Sequence, residues 1–155
     1  MIPIELQDYL KDSIKELLNG FKVKNSNNEL SDFNIYSQNI PVKQGKKDKE
    51  HYPLIVIAID EGRSSDDDDP ASADIAILVG IYDDSEDNQG YRDAINVGNK
   101  IINYLLSQTH FDNKHTLKLP LSYQLPQEDI SPYFLLAINT TWNVPQITIK
   151  DDQYT

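Results

Sequence analysis

The residues best suited to chemistry in this chain are carboxylates, and they concentrate in two short runs. Asp66, Asp67, Asp68 and Asp69 are consecutive, preceded by Asp60 and Glu61 and followed by Pro70. A calcium site needs carboxylates and carbonyls converging on one ion, which consecutive side chains do only on a shaped loop. Like charges this close repel, so the run reads as a solvated loop. Its spacing leaves open whether it holds a cation. The second run, Asp83-Asp84-Ser85-Glu86-Asp87-Asn88-Gln89-Gly90, has a superficial likeness to an EF-hand loop. Counted from Asp83, however, the glycine falls two residues late and Ala94 stands where the bidentate Glu belongs. A turn whose acids cap a helix N-terminus accounts for it better.

Other chemistries find less support. His110 and His115 are five residues apart across a turn, not the four-residue spacing of a helical zinc pair, and His51 is remote. With no cysteine there is no thiol nucleophile and no thiolate to complete a zinc site. The three histidines therefore read as surface or loop residues. Ser64 and Ser65 lack a Gly-x-Ser-x-Gly setting, and no glycine-rich phosphate loop is present. No pair of carboxylates stands on a rigid apolar framework that would shift its pKa. The expectation is a protein that is not an enzyme and uses no cofactor and no metal.

Bulk properties narrow the class further. The chain has 155 residues, which fits one domain over residues 1–150 with a short disordered tail at 151–155. Its net charge of -11 opposes nucleic-acid binding by phosphate neutralisation, which needs clustered Lys and Arg. The longest apolar stretches are far short of the ~20 residues that cross a bilayer. Met1-Ile2-Pro3-Ile4-Glu5 does not read as a secretion signal, so a cytoplasmic setting is expected.

The elements that position these residues follow from periodicity. Leu6, Leu10, Ile14, Leu17 and Leu18 recur at spacings of mostly three and four, predicting a helix that stops at Asn19-Gly20. Short extended pieces near 21–23 and 34–36 flank a polar loop over 24–32. Lys43 to Glu50 is a polar, mostly basic run without an apolar anchor and reads as a mobile loop. Tyr52 to Ile59 predicts a strand apolar on both faces, with Pro53 at its start, interior to a sheet and covered by helix on at least one side. An acidic loop from Asp60 leads to a second strand, Ala73 to Tyr82. A second helix spans about Tyr91 to Ser107, with Gly98 on its apolar stripe permitting close approach to the sheet. Further strands follow at 116–119, 121–125, 133–142 and 146–149. Two strong strands joined without a helix favour antiparallel pairing. The fold class expected is α+β, a mostly antiparallel sheet of about four to five strands against two main helices.

Two features point to assembly. The basic loop with Lys43, Lys46, Lys47 and Lys49 and the acidic loop with Asp66, Asp67, Asp68 and Asp69 are opposite in charge, and complementary charges give an interface its register. Tyr82, Tyr91, Tyr133, Phe134 and Trp142 sit near element ends, serving either core packing or interface anchoring.

The order of these pieces resembles the tail terminator, or tail completion, proteins of long-tailed bacteriophages. The resemblance runs from Tyr52 to Pro145. It rests on an N-terminal helix, then Tyr52-Pro53-Leu54-Ile55-Val56-Ile57 before the acidic loop, Asp74-Ile75-Ala76-Ile77-Leu78-Val79-Gly80-Ile81-Tyr82, Gly90-Tyr91-Arg92-Asp93 opening the second helix, and Ser131-Pro132-Tyr133-Phe134 leading to Thr141-Trp142. It is a likeness of order and spacing without a catalytic signature. It implies an α+β subunit of a hexameric ring that stops tail-tube growth. The partners it implies are further copies of the chain, the tail tube protein and the head connector. It places the protein in the virion, and in the host cytoplasm during assembly. An acidic lumen would let DNA pass without adhering. Another head–tail joining protein, a connector or stopper, and a small acidic binding or regulatory module are the alternatives.

Overall fold

A computed structural model of the chain describes residues 2–40, 48–64, 71–108 and 110–144. Helix α1 spans Ile4–Leu17 and buries Leu6, Leu10 and Ile14 on one stripe. A small hairpin follows, β1 (Val23–Lys24) and β2 (Leu30–Ser31), then β3 (Asn34–Ser37). A 3-10 turn at Asp48–His51 leads into β4 (Leu54–Arg63), and β5 (Ser72–Tyr82) returns antiparallel to it. Helix α2 (Gln89–Leu106) precedes the last two strands, β6 (Thr116–Gln124) and β7 (Tyr133–Asn143).

The main sheet has five strands in the order β3-β4-β5-β7-β6. All its pairings are antiparallel except β3 with β4, which is parallel. The α+β class and the β4–β5 pairing are as the sequence predicts. β4 lies inside the sheet and α1 packs on it.

Several expectations need correction. β4 continues to Arg63, so Asp60 and Glu61 belong to a strand and not to the acidic loop; a register shift between Ile59 and Glu61 accommodates them. Hydropathy ends the strand at Ile59 because beyond that point pairing to β5 replaces apolar burial. The 24–32 stretch holds the β1–β2 hairpin, closed by the Asn25 side-chain oxygen, which accepts from the Asn27 and Glu29 amides. The run at 48–50, read as loop, forms the 3-10 turn anchored by the buried His51. Pro120 does not divide two strands: β6 runs through it with a register shift between Lys118 and Ser122. The expected strand at 146–149 and the tail at 151–155 lie outside the described residues.

Both helices pack on one face of the sheet. That face carries Ile55 and Ile57 from β4, Ile75, Ile77, Val79 and Ile81 from β5, and Leu136, Ile138 and Trp142 from β7, all in one buried cluster with the α1 and α2 stripes. Each such side chain contributes roughly 1.5–3 kcal/mol on burial. Polar groups on this face are satisfied. Thr140 Oγ1 donates to the Ile75 carbonyl at 2.6 Å and accepts from Trp142 Nε1 at 2.7 Å, so a buried indole N–H has its partner. Gln7 Nε2, buried on α1, donates to the Ile57 carbonyl at 2.8 Å.

The acidic turn before α2 does cap the helix. Asp83 Oδ2 accepts from the Gly90 amide at 2.8 Å and Asp87 Oδ1 from the Gln89 amide at 3.1 Å, so first-turn N–H groups without an intrahelical acceptor are satisfied. Along the same helix, Gly98 faces Leu136, and a side chain there would run into the leucine methyl Cδ2. Gly98→Leu is therefore expected to lower the unfolding free energy by about 1–3 kcal/mol through overpacking. Denaturant titration measures this, and an unchanged midpoint would mean that α2 does not sit so close to β7.

Candidate assembly surface

The face opposite the helices is chemically different. The register places Val56 and Ala58 of β4, Ala76, Leu78, Gly80 and Tyr82 of β5, and Tyr133, Leu135, Ala137, Asn139 and Thr141 of β7 on it. Strict alternation makes this unavoidable, since neighbours along a strand point to opposite faces. Among the described residues no α-helix covers it. Ala58, Ala76, Leu78, Leu135 and Ala137 are half-buried, where Ile57, Ile77 and Ile138 directly behind them are fully buried. Small aliphatic side chains dominate the centre.

One end of this face is a tyrosine cluster. The Tyr52 and Tyr133 rings meet at a tilt of 57° with centroids 5.1 Å apart, and Tyr82 meets Tyr133 edge-on at 5.3 Å. Gly80 makes room for it: a Cβ there would lie 2.6 Å from Tyr52 Cε2 and 2.9 Å from Leu54 Cδ1. Leu54 is in turn fully buried although it lies outside the helix-side core. Tyr36 on β3 contacts the His51 ring edge-on and its hydroxyl lies 3.1 Å from His51 Nδ1. Burial raises the Tyr52 hydroxyl pKa, helped by Tyr133 and Asp48, and burial alone raises that of Tyr36. Both stay protonated at neutral pH and offer hydrogen bonds, not charge.

The other end is polar. Asp74 accepts from Thr141 Oγ1 at 2.9 Å and pairs with Arg63 at 3.4 Å. Both partners are substantially exposed, so the ion pair contributes little to stability. A polar hollow of about 260 Å³ lies beside it, between Asp60, Asp74, Ser122, Asn139 and Thr141. The surface thus grades from aromatic through small aliphatic to acidic and hydroxylic.

Of the interface residues expected from sequence, only Lys49 is described. It lies on the 3-10 turn with its Nζ 5.9 Å from the Tyr82 ring centroid, a cation–π distance. Lys43, Lys46, Lys47, Asp66, Asp67, Asp68 and Asp69 lie outside the described residues. The aromatic group divides. Tyr82 and Tyr133 join the open-face cluster, Trp142 is core, and Tyr91 is half exposed on α2. Tyr36, Tyr52 and His51 belong to the cluster and were missed. Alternation on β4 and β5 identifies the open face, but only the pairing of β3 with β4 brings Tyr36 to it.

The histidine expectation is overturned at two positions. His51 and His115 are buried, at 5% and 3% exposure; only His110 is exposed. His115 closes a tight hairpin with Phe111: Phe111 N–H donates to the His115 carbonyl at 2.8 Å and His115 N–H to the Phe111 carbonyl at 2.9 Å. Since Phe111 is fully buried, its hydrogen-bonded partner follows it inward, which polarity alone cannot reveal.

The two faces should respond differently to truncation. Ile77→Ala is expected to cost about 2–5 kcal/mol, as for a fully buried aliphatic, and Leu78→Ala, half-buried next to it, about 1 kcal/mol. Denaturation of both variants checks this, and equal costs would mean that the second face is as thoroughly covered as the first. No family model matches the chain, and no curated protein matches it.

Proposed function

We propose that this protein is a structural assembly component of a long-tailed bacteriophage or prophage. In this reading it is a tail terminator, whose copies close into a ring, hexameric as in the family it resembles, on the end of the tail tube. The ring joins the tube to the head connector. The protein acts by binding and catalyses no reaction, it works in the virion after assembly in the host cytoplasm, and it takes no cofactor. The single observation that carries the assembly reading is the sheet face that no helix covers among the described residues. A graded surface of tyrosines, small aliphatics and hydroxyls next to a fully formed core has the composition of a protein interface, where Tyr supplies rigid anchoring area. The terminator assignment within that class rests on the sequence resemblance, and the net charge of -11 is consistent with a ring through which DNA passes without adhering.

The test is light scattering on the purified protein over a concentration series, with and without assembled tail tubes. A ring, free or formed on tubes, is the expected outcome. A monomer that ignores tubes at every concentration would remove the terminator reading and favour a connector or a small binding module. Ala137→Arg, placing a charge in the middle of the half-buried strip, is expected to weaken assembly by tenfold or more, as an unpaired charge in a desolvated interface does, while leaving far-ultraviolet circular dichroism unchanged. Undiminished assembly in that variant would move the contact to another surface.

A further inference from the structure

The hairpin at Phe111–His115 contains a polar pair that the fold leaves unmatched. His115 Nδ1 and Asp112 Oδ2 are both buried, lie 3.9 Å apart, and have no hydrogen-bond partner among the described residues. A buried donor or acceptor without a partner forfeits its hydration with nothing in return, so native proteins seldom keep one. The turn between them is built from Asp112 and Asn113 at φ 55° and 54°, a left-handed conformation that Asp and Asn tolerate better than most residues.

The hairpin is fastened at three points. Phe111 is fully buried and meets Trp142 edge-on at 4.8 Å, with Tyr9 and Tyr104 at 6.4 and 6.1 Å. Lys114 Nζ reaches Glu5 Oε2 on α1 at 2.9 Å, an exposed pair that lowers the Glu5 pKa and raises that of Lys114. The His115 ring is the third. Behind it the hairpin backs onto a cleft of about 570 Å³ walled by Ile2, Pro3, Ile4 and Val144.

We propose that this hairpin is an acid-operated latch. With His115 neutral it is shut over Phe111 and the first turn of α1; a proton taken from solvent by His115 swings it open and bares Phe111 and the cleft as an apolar surface. The charged groups acting on His115 are Asp112 and Lys114 of its own hairpin and Glu5 of α1. Ile2, Pro3, Ile4 and Val144, which share the cleft, carry no charge. Burial is the largest influence and disfavours the imidazolium; Asp112 and Glu5 favour it and Lys114 opposes it, and the balance holds His115 below the ordinary histidine value of 6.5. The sign follows. A depressed histidine pKa means that the open state binds the proton more readily, so closure is complete above 6.5 and is lost as pH falls toward the depressed value.

The experiment follows native-state amide exchange at Phe111 and His115, together with fluorescence of the single tryptophan, Trp142, from about pH 7.5 to about pH 5, the range in which histidine titrates. After correction for intrinsic exchange chemistry, the opening constant should rise by up to tenfold per pH unit, as release of one proton-linked contact requires. His115→Gln should abolish that slope. Asp112→Asn removes the nearest carboxylate that stabilises the imidazolium, and should shift the opening to higher pH. A slope that persists in His115→Gln, or an opening constant independent of pH in the unaltered protein, overturns the latch. If His115→Gln does not fold, the direction of the Asp112→Asn shift decides: no shift, or a shift to lower pH, also overturns it.

Discussion

Uninterrupted pairing of β5 with β7 is the constraint on which the rest of this structure depends. The two strands match residue for residue from Ser72↔Asn143 to Tyr82↔Tyr133 without a bulge. Because the side-chain period of a strand is two, a one-residue slip would carry Ile75, Ile77, Val79 and Ile81 to the opposite face. The slip would also separate Thr140 from the Ile75 carbonyl and leave the Trp142 N–H without an acceptor. Apolar burial and a buried hydrogen-bonded relay thus select the same register. Neither alone would do so as firmly, since a hydrophobic strip tolerates sliding by two residues and a single hydrogen bond contributes only about 1 kcal/mol.

Once that register is set, the positions of the helices follow. α2 can lie close to β7 because Gly98 stands opposite Leu136, and its N-terminus is fixed by Asp83, the first residue after β5. Gly90 serves the same end: a Cβ there would lie 2.6 Å from Asp83 Cβ and 2.7 Å from a Phe134 ring carbon. α1 is tied to the neighbouring strand by Gln7 and to the chain's later half by Glu5 with Lys114. The helix side is therefore closed by several unlike contacts, whereas the opposite side is organised by the sheet itself and by the short 3-10 turn.

How much of this was legible in the residues depends on whether the determining contact is local. Both helices, the antiparallel β4–β5 pair and the close approach at Gly98 follow from apolar spacing within one element. The continuation of β4 through Asp60 and Glu61 does not, because it is held by cross-strand pairing of Glu61 to Asp74 and Gly62 to Ala73, with Asp60 in the register shift, and not by burial. The tyrosine cluster was half visible. Tyr82 and Tyr133 are at strand ends, but Tyr52 reaches Tyr133 only because Gly80 on the next strand leaves a gap, and Tyr36 meets His51 only because β3 pairs in parallel with β4. Opposite charge suggests an interface between the 43–50 and 60–70 segments; of the four lysines and four consecutive aspartates that carry that reading only Lys49 lies among the described residues, and it contacts an aromatic ring.

The contrast between the two histidine environments shows why burial of a polar ring must be read with its partners. His51 lies beside the Tyr36 hydroxyl, and its turn carbonyl accepts from Asn34 Nδ2 at 3.0 Å, so its neighbourhood is hydrogen-bonded and braced by β3. His115 is as deeply buried, yet Asp112 Oδ2 lies 3.9 Å from its Nδ1, too far for a hydrogen bond, and neither atom has a partner among the described residues. Equal burial with unequal satisfaction has opposite consequences. A satisfied buried ring rigidifies its surroundings, while an unsatisfied one raises the free energy of the closed state and lowers the work of opening it. That difference sets the Phe111–His115 hairpin, whose buried pair is unmatched among the described residues, apart from the His51 turn, whose ring is braced by its hydrogen-bonded neighbours.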